Sequence, residues 1–267
     1  MIFLKTKDEI ELIRESCLTV SRTLAHVARF LQPGVTTKEL DRIAEEFIQN
    51  CGGKPAFKGY QGFPATLCIS VNDTVVHGIP GDYRIKDGDL VSVDCGVELN
   101  GFFGDSCYTF LVGNATAGKQ KLCTVTRRCL ELGIEQALEG KRLGCIGHAV
   151  QKHAELAGFS VVREMVGHGI GRQLHENPQV PNYGRTWQGI KLQAGMVLAI
   201  EPMINAGSRK IFQSDDGWTV KTIDGKPSAH YEHTVVVGYD TAEVLSDFNL
   251  IENEIKKNSN LWQNSLQ

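Results

Sequence analysis

A hairpin signal centred on Asn100-Gly101 constrains the fold more than any other feature of the sequence. This dipeptide is preferred in two-residue turns between antiparallel strands, and strand-like apolar runs flank it on both sides. A two-residue turn sets Val91 opposite Phe110 and Val93 opposite Tyr108, which gives the ribbon one continuous apolar face. The sequence therefore predicts a long antiparallel hairpin with this register.

The same register brings two carboxylates together. Asp94 falls opposite Cys107, and Asp105 lies one diagonal step away on the same side of the ribbon. Two carboxylates in the apolar middle of a sheet repel each other and lose hydration, so either one takes up a proton or a cation neutralises them. A metal ion is the simpler explanation. Caps of turns or ion pairs with arginine stay open as the alternative at this point.

Helical and strand-like segments follow one another in the same order twice along the chain. Apolar periodicity and threonine capping patterns predict helices at about 7–32, 36–51, 117–139 and 144–157. Strand-like segments lie at about 66–71, on both sides of the hairpin turn, and at about 160–166, 196–205, 229–238 and 242–246. Residues 114–248 thus repeat the element order of residues 1–113, which predicts an α+β fold of two similar halves.

The composition indicates one ordinary globular domain and excludes several classes of protein. Of the 267 residues, 42% are hydrophobic and 22% are charged, and the net charge of −3 gives no field that favours nucleic acid. No linker divides the halves, so a single domain over about 1–250 is expected, with a polar tail at 251–267 that frays from Glu252 onward. The apolar runs are too short for a membrane span or a signal peptide, and the eight cysteines contain no CxxC pair. A cytoplasmic protein with free thiols is expected.

The second half of the chain supplies further candidate ligands. His168 lies in a glycine-rich bend after a predicted strand, and His175 follows seven residues later. Glu201 and Glu232 each interrupt an apolar strand-like run, where a carboxylate is costly unless it is paired or bound to a metal. For any one of these residues, an ordinary hydrogen bond is the commoner explanation. Taken together, four carboxylates and one imidazole suit a pair of divalent ions such as manganese, iron(II) or cobalt.

Several motifs resemble the type I methionine aminopeptidases. They are the Asp94 to Asp105 spacing and the segments GHGIGRQLHENP (167–178), IEPM (200–203) and YEHT (231–234). The resemblance runs from about residue 5 to 248. It implies the pita-bread fold, in which two pseudo-symmetric halves surround a central antiparallel sheet and a dinuclear metal site.

The resemblance also implies how the ligands are shared between two divalent ions, which would be cobalt, manganese, iron(II) or zinc. Asp94 would bind one ion, His168 and Glu201 the other, and Asp105 and Glu232 would bridge both. The two ions would activate a shared water as a hydroxide nucleophile.

Further roles follow from the same resemblance. Glu201 would shuttle the proton of the attacking water, His175 would stabilise the oxyanion, and His77 would contact the scissile amide. The slot for the methionine side chain would be lined by Phe57, Tyr60, Phe63, Cys68, Leu174 and Trp218. The commonest bacterial pattern has cysteine at position 57, tyrosine at 63 and phenylalanine at 174, where this chain has Phe57, Phe63 and Leu174. These replacements keep the slot apolar but change its shape.

The resemblance predicts an enzyme that removes N-terminal methionine when the second residue is small. The short interval from His168 to Glu201 excludes the helical insertion of type II enzymes, and a start at the first helix favours the short bacterial form. One alternative is a proline-specific aminopeptidase or dipeptidase of the same fold, which normally carries an extra N-terminal domain. The other is a non-catalytic pita-bread protein that binds peptides, ribosomes or RNA, which would be expected to have lost ligands.

The expected partners are the N-termini of nascent polypeptides and the ribosome near its exit tunnel. Docking there would use the basic pairs Lys119/Lys121, Arg127/Arg128 and Lys141/Arg142, although a solvated helix face also explains each pair. A monomer without membrane contact or sequence-specific nucleic acid binding is expected.

Overall fold

The computed structural model describes residues 2–263, which contain five α-helices. They are α1 (Lys7–Phe30), α2 (Thr37–Asn50), α3 (Ala117–Ile134), α4 (Gly144–Leu156) and α5 (Phe248–Ile255). The capping box predicted before α1 is confirmed. Thr6 Oγ1 accepts from the backbone N–H of Glu9 at 3.2 Å, and the Glu9 carboxylate accepts from the backbone N–H of Thr6 at 2.9 Å. None of these helices is long and apolar enough to cross a membrane.

The strands of residues 2–263 pair antiparallel in four sheets. In chain order they are β1 (Lys54–Pro55), β2 (Leu67–Val71), β3 (Thr74–Val76), β4 (Leu90–Leu99), β5 (Phe102–Leu111), β6 (Ser160–Val161), β7 (Gly167–Gly169), β8 (Glu176–Val180), β9 (Val197–Ile200), β10 (Met203–Asn205), β11 (Ile211–Gln213), β12 (Val220–Thr222), β13 (Ser228–His230), β14 (His233–Val236) and β15 (Glu243–Val244). One sheet has the order β1-β4-β2 with β5 also on β4, and another has the order β15-β14-β9-β7-β8. The two smaller sheets are β13-β10-β6 and β11-β12-β3.

The hairpin of β4 and β5 has the predicted register. Val91 pairs with Phe110, Asp94 pairs with Cys107, and Asp105 pairs with Gly96. Asn100 and Gly101 have φ angles of 54° and 78°, the left-handed conformation that a type I′ turn requires at both central positions. The turn therefore fixes which residues of the ribbon share a face.

Two segments predicted as continuous strands are instead divided between two sheets. Residues 196–205 form β9 and β10, which separate at Glu201-Pro202, and residues 229–238 form β13 and β14, which separate at Tyr231-Glu232. Proline has no N–H to donate to a ladder, so pairing ends at Pro202. The prediction at 160–166 is also too long, because β6 ends at Val161 before the chain turns toward β7. Both crossings between sheets carry a candidate metal ligand.

A seam of hydrogen bonds joins β5 of the first half to residues 232–234 of the second. The backbone N–H of Glu232 donates to the carbonyl of Cys107 at 2.9 Å, and Ser106 Oγ donates to the carbonyl of Glu232 at 2.7 Å. Thr234 Oγ1 donates to the carbonyl of Asp105 at 2.8 Å. These bonds hold the backbones of Asp105 and Glu232 side by side.

The apolar core draws on both halves of the chain and on the segment that follows them. Its largest cluster includes Leu24 and Val93 from the first half and Leu130 and Ile200 from the second. The expectation that the tail frays from Glu252 is wrong as far as residue 263. Apolar positions at helical spacing in α5 pack against α1, and Ile251, Ile255 and Leu261 are buried. Residues 264–267 of the predicted tail lie outside the described residues.

Candidate active site

A single cavity of about 230 Å³ brings together the residues that the sequence analysis assigned to the site. It lies where the β4–β5 ribbon faces the sheet of β7, β9 and β14. The predicted residues that line it are Phe57, Tyr60, Phe63, Cys68, His77, Asp94, Asp105, His168, Leu174, His175, Glu201, Trp218 and Glu232.

Three of the predicted ligands form a compact cluster in this cavity. One donor atom each from Asp105, His168 and Glu232 lies within 4.8 Å of the other two. Nε2 of His168 is 3.8 Å from Oδ2 of Asp105 and 3.7 Å from Oε1 of Glu201. Asp94 lines the same cavity from β4. Separations of this size fit donors that share a small cation.

The local backbone aims the imidazole of His168 into the cluster. Its Nδ1 lies 2.9 Å from the carbonyl oxygen of Gly169, a group that only accepts, so Nδ1 carries the proton and Nε2 keeps its lone pair. The glycine before it is required by close packing, because a Cβ on Gly167 would lie 2.3 Å from the carbonyl oxygen of Ala199 on β9. The bend therefore presents a neutral donor nitrogen to the carboxylates.

Burial raises the pKa of every carboxyl group in the cluster. Desolvation raises the pKa of Asp94 to about 7 and that of Glu201 to about 8, and it raises the pKa values of Asp105 and Glu232 well above their ordinary range. The neighbouring carboxylates add to the effect on Asp105 and Glu232 by repulsion. The site thus favours either protonated carboxyl groups or a bound cation.

The hydrogen-bonding pattern favours a cation. Within residues 2–263, Oδ1 of Asp94, Oδ1 of Asp105 and Oε1 of Glu232 are buried without a hydrogen-bond partner. Unpartnered buried carboxylate oxygens are costly, and a divalent ion satisfies them. Four ionised carboxylates also carry the charge that two divalent ions neutralise. The residues present therefore fit a metal centre.

The histidines of the cavity are neutral at pH 7. Burial lowers the pKa of His168 to about 3 and that of His77 to about 4, and it also lowers the pKa of the more exposed His175. A neutral imidazole can bind a metal through one nitrogen or donate a hydrogen bond to an oxyanion. Metal binding by His168 needs this protonation state, and the role predicted for His175 is compatible with it.

His175 and His77 both line the cavity that holds the cluster. The ring centroid of His175 is 4.3 Å from that of His168, and its Nδ1 lies 2.8 Å from the hydroxyl of Tyr60. His77 follows β3 with a φ of 57°, a left-handed conformation that is uncommon for a residue with a side chain. Its ring lies 6.2 Å from that of Trp218. Strained backbone of this kind occurs often at functional sites.

An apolar slot adjoins the cluster. The six predicted lining residues all belong to one apolar cluster. Four of them are buried, namely Phe57, Phe63, Cys68 and Leu174, and Tyr60 and Trp218 are partly buried. Phe57 occupies space that only a glycine at position 96 leaves open, since a Cβ on Gly96 would lie 2.6 Å from the Phe57 ring. Asp105 is the residue opposite Gly96 in the hairpin, so the slot and the metal cluster share this part of the ribbon.

The structure adds residues that the sequence analysis did not assign to the site. They are Gln61, Val76, Met165, Val166, Met203 and His230. Of these, His230 carries the most chemistry, because it is 2% exposed and its Nε2 lies 3.6 Å from Oε2 of Glu201. In the sequence, only its position two residues before Glu232, in the same apolar run, could have indicated that His230 belongs to the site.

Most of the basic pairs considered for docking already have partners. Lys119 Nζ donates to Asn72 Oδ1 and to the carbonyl of Gly88, and Lys121 Nζ donates to the carbonyl of Ala157. Ion pairs join Arg127 to Glu131 and Glu252, and Arg128 to Glu131 and Glu135. Lys141 donates to a glutamine side chain and the exposed Arg142 to a backbone carbonyl, so this third pair keeps its charge unneutralised by the described acidic side chains.

Comparisons with known proteins agree with this geometry. The sequence model of metallopeptidase family M24 matches residues 11–238. A methionine aminopeptidase of Clostridium perfringens is 54% identical over 246 residues, which cover 92% of this chain and 99% of that protein. Methionine aminopeptidase 1 of Bacillus subtilis is 50% identical with the same coverage of both chains.

Solved structures show the same fold. The crystal structure of a methionine aminopeptidase from Rickettsia prowazekii superposes with a TM-score of 0.91 at 40% identity, over 92% of this chain and all of that one. A prolidase from Pyrococcus furiosus shares the fold with a TM-score of 0.76 at 23% identity, and the match covers 65% of it. The predicted α+β pita-bread fold is thereby confirmed. The chain belongs to metallopeptidase family M24 and, within it, groups with the methionine aminopeptidases.

Proposed function

We propose that this chain is a metal-dependent aminopeptidase that removes the N-terminal methionine from peptides and nascent proteins with a small second residue. The observation that carries the proposal is the convergence of Asp105, His168 and Glu232 beside an apolar slot. Membership of a metallopeptidase family and the names of the relatives support the same activity.

We further propose that two divalent ions occupy the cluster. Asp94 would hold one ion and His168 with Glu201 the other, while Asp105 and Glu232 would hold both. When bound, such ions lower the pKa of water and polarise a carbonyl group. Oxygen-rich sites accept manganese, iron(II) and cobalt as well as zinc, so the supply in the cell determines which ion is bound.

The protein's own residues would complete the reaction. Glu201 takes the proton of the attacking water on its carboxylate and delivers it to the nitrogen of the leaving amine. His175 donates a hydrogen bond to the carbonyl oxygen as negative charge develops there, and His77 contacts the scissile amide. The slot, whose lining includes Phe63 and Trp218 with ring centroids 5.2 Å apart, takes the apolar methionine side chain.

Peptide hydrolysis with and without metal tests the proposal. The purified protein, stripped with a chelator and then supplied with cobalt, manganese or iron(II), is expected to release methionine from Met-Ala-Ser but not from Met-Lys-Ser. No cleavage of Ala-Pro-Ser is expected, and no peptide is expected to be cleaved in the presence of the chelator. Cleavage of Ala-Pro-Ser in place of Met-Ala-Ser would support the proline-specific alternative, and no cleavage with any metal would support a binding protein.

The proposed substrates imply a place of action in the cytoplasm, at the ribosome. The described acidic side chains form ion pairs with neither Lys119/Lys121 nor Lys141/Arg142. Because two hydrogen bonds already hold Lys119, we propose Lys141/Arg142 as the docking contact with ribosomal phosphates. Reversal of both charges to glutamate is expected to reduce co-sedimentation with ribosomes, whereas reversal of the ion-paired Arg128 is expected to have little effect. Unchanged co-sedimentation of the Lys141/Arg142 variant would remove this contact.

A further inference from the structure

His230 is a buried histidine of the cavity that the mechanism above does not use. It ends β13 and is fixed to the hairpin by its backbone. Its N–H donates to Thr109 Oγ1 at 3.1 Å, and its carbonyl oxygen accepts from Thr109 Oγ1 at 2.5 Å and from Cys107 Sγ at 3.5 Å. The backbone of His230 is therefore held against the ribbon that carries Asp94 and Asp105.

The side chain of His230 faces one oxygen of Glu201, while the metal cluster faces the other. Oε1 of Glu201 lies 3.7 Å from Nε2 of His168, and Oε2 lies 3.6 Å from Nε2 of His230. Nε2 of His230 is buried and has no hydrogen-bond partner among residues 2–263. The separation is a few tenths of an ångström longer than a hydrogen bond and leaves no space for a water between the two atoms.

We propose that His230 is a positioning residue for Glu201. The Nε2–H of His230 donates to Oε2 of Glu201 and so keeps Oε1 of Glu201 turned toward His168 and the metal cluster. The inference rests on the proposed function, in which Glu201 is both a ligand and the proton shuttle. Contacts of this kind are often long in a free site and shorten when the site is loaded.

The geometry explains why Glu201 needs such a partner. The terminal torsion of a glutamate carboxylate is broad, so two oxygens of one carboxylate exchange places easily unless a donor distinguishes them. Asn182 Nδ2 binds Glu201 at 2.9 Å, but through the backbone carbonyl, which leaves the carboxylate free to rotate. A donor on the side away from the metals removes this freedom, as partners of metal ligands generally do.

The experiment compares two substitutions of one residue. His230→Gln places an amide N–H near the position of Nε2, whereas His230→Phe keeps a ring without a donor. Calorimetric titration of each metal-free variant with manganese is expected to give wild-type affinity within about threefold for glutamine and a loss of about 10- to 100-fold for phenylalanine. kcat on Met-Ala-Ser is expected to fall in parallel for phenylalanine, with KM nearly unchanged.

The possible outcomes separate positioning from direct metal binding. Wild-type affinity and kcat in His230→Phe would overturn the proposal, because the donor would then be unnecessary. Equal losses in the glutamine and phenylalanine variants would also overturn it and would indicate that Nε2 itself binds the metal. His230→Leu repeats the comparison if the phenylalanine variant does not fold, as judged by circular dichroism.

The metal titration also keeps this inference separate from the proposed function. A wild-type protein that binds manganese but releases no methionine would contradict the proposed activity, while the titration of the variants would still decide the role of His230.

Discussion

Asp105 and His168 approach each other from opposite halves of the chain, with Oδ2 of the aspartate 3.8 Å from Nε2 of the histidine. Asp105 is carried by the hairpin and His168 by a three-residue strand in a glycine-rich bend. Neither half contains enough ligands for a divalent ion pair by itself. The site therefore exists only when the two halves are docked, which couples metal binding to correct folding.

Removal of the Glu201 carboxylate tests the proton shuttle. Glu201→Gln keeps the size of the side chain but cannot take up a proton, so kcat is expected to fall by about 10³-fold. Steady-state assays with Met-Ala-Ser measure the effect. Glu164→Gln, at an exposed glutamate in the same half of the chain, is the matched control and is expected to retain wild-type turnover. Normal turnover in the Glu201 variant would refute the assigned role.

Truncation of His175 tests oxyanion stabilisation. Because the hydrogen bond to the carbonyl oxygen strengthens only as charge develops, His175→Ala is expected to lower kcat by about 10²-fold with little change in KM. Tyr60→Phe removes the hydroxyl 2.8 Å from Nδ1 of His175 and is expected to cause a smaller loss of the same kind. A rise in KM with unchanged kcat would assign His175 to substrate binding instead.

The metal-free protein is expected to lose stability as the pH rises. Burial raises the folded-state pKa of Asp94 to about 7 and of Glu201 to about 8, whereas unfolded carboxyl groups have pKa values of about 4. At pH values between the unfolded-state and the folded-state pKa, these carboxyl groups hold more protons in the folded state than in the unfolded state. Their contribution to the free energy of unfolding therefore falls with increasing pH.

Thermal unfolding in chelator from about pH 7 to about pH 8.5 measures this effect, because the buried histidines are neutral in both the folded and the unfolded state over that interval. The melting temperature is expected to fall across the interval in chelator and to be restored by manganese, most strongly at high pH. Asp94→Asn removes one buried charge and is expected to flatten the profile, whereas the exposed Asp82→Asn leaves it unchanged. A profile in chelator that rises with pH would contradict the burial of these groups.

The contact between α1 and the hairpin depends on a glycine. A Cβ on Gly104 would lie 2.4 Å from the backbone nitrogen of Cys17, and neither backbone can move without disturbing α1 or β5. Gly104→Ala is expected to lower the free energy of unfolding by about 1 to 3 kcal/mol in denaturant titrations. Gly118→Ala in α3, where the nearest atom is 3.9 Å away, is the control and should be neutral or slightly stabilising. Equal stability of the two variants would contradict the packing described.

The hairpin and its carboxylates were predictable because local chemistry determines them. Asn100-Gly101 specifies the turn, the turn specifies the register, and the register places Asp94 and Asp105 on one face. The glycine-rich segment and the acidic residues in apolar runs also stood out without tertiary information. The sequence therefore pointed to each of the five residues that we propose as ligands, and the family resemblance supplied their roles.

The division of the long apolar runs was not predictable in the same way. Periodicity does not distinguish one strand of ten residues from two short strands in different sheets, and at Tyr231-Glu232 no proline marks the crossing. α5 was missed because it is only eight residues long, and the burial of its apolar positions depends on the distant α1. His230 was missed for a related reason, since its partner Glu201 comes from another strand.

Anomalous scattering at the metal edge, measured on crystals of the manganese-loaded protein, counts the bound ions and locates them. Two anomalous peaks per chain are expected within bonding distance of Asp94, Asp105, His168, Glu201 and Glu232, with Asp105 and Glu232 bound to both. A single peak, or peaks away from these five side chains, would contradict the proposed two-ion centre.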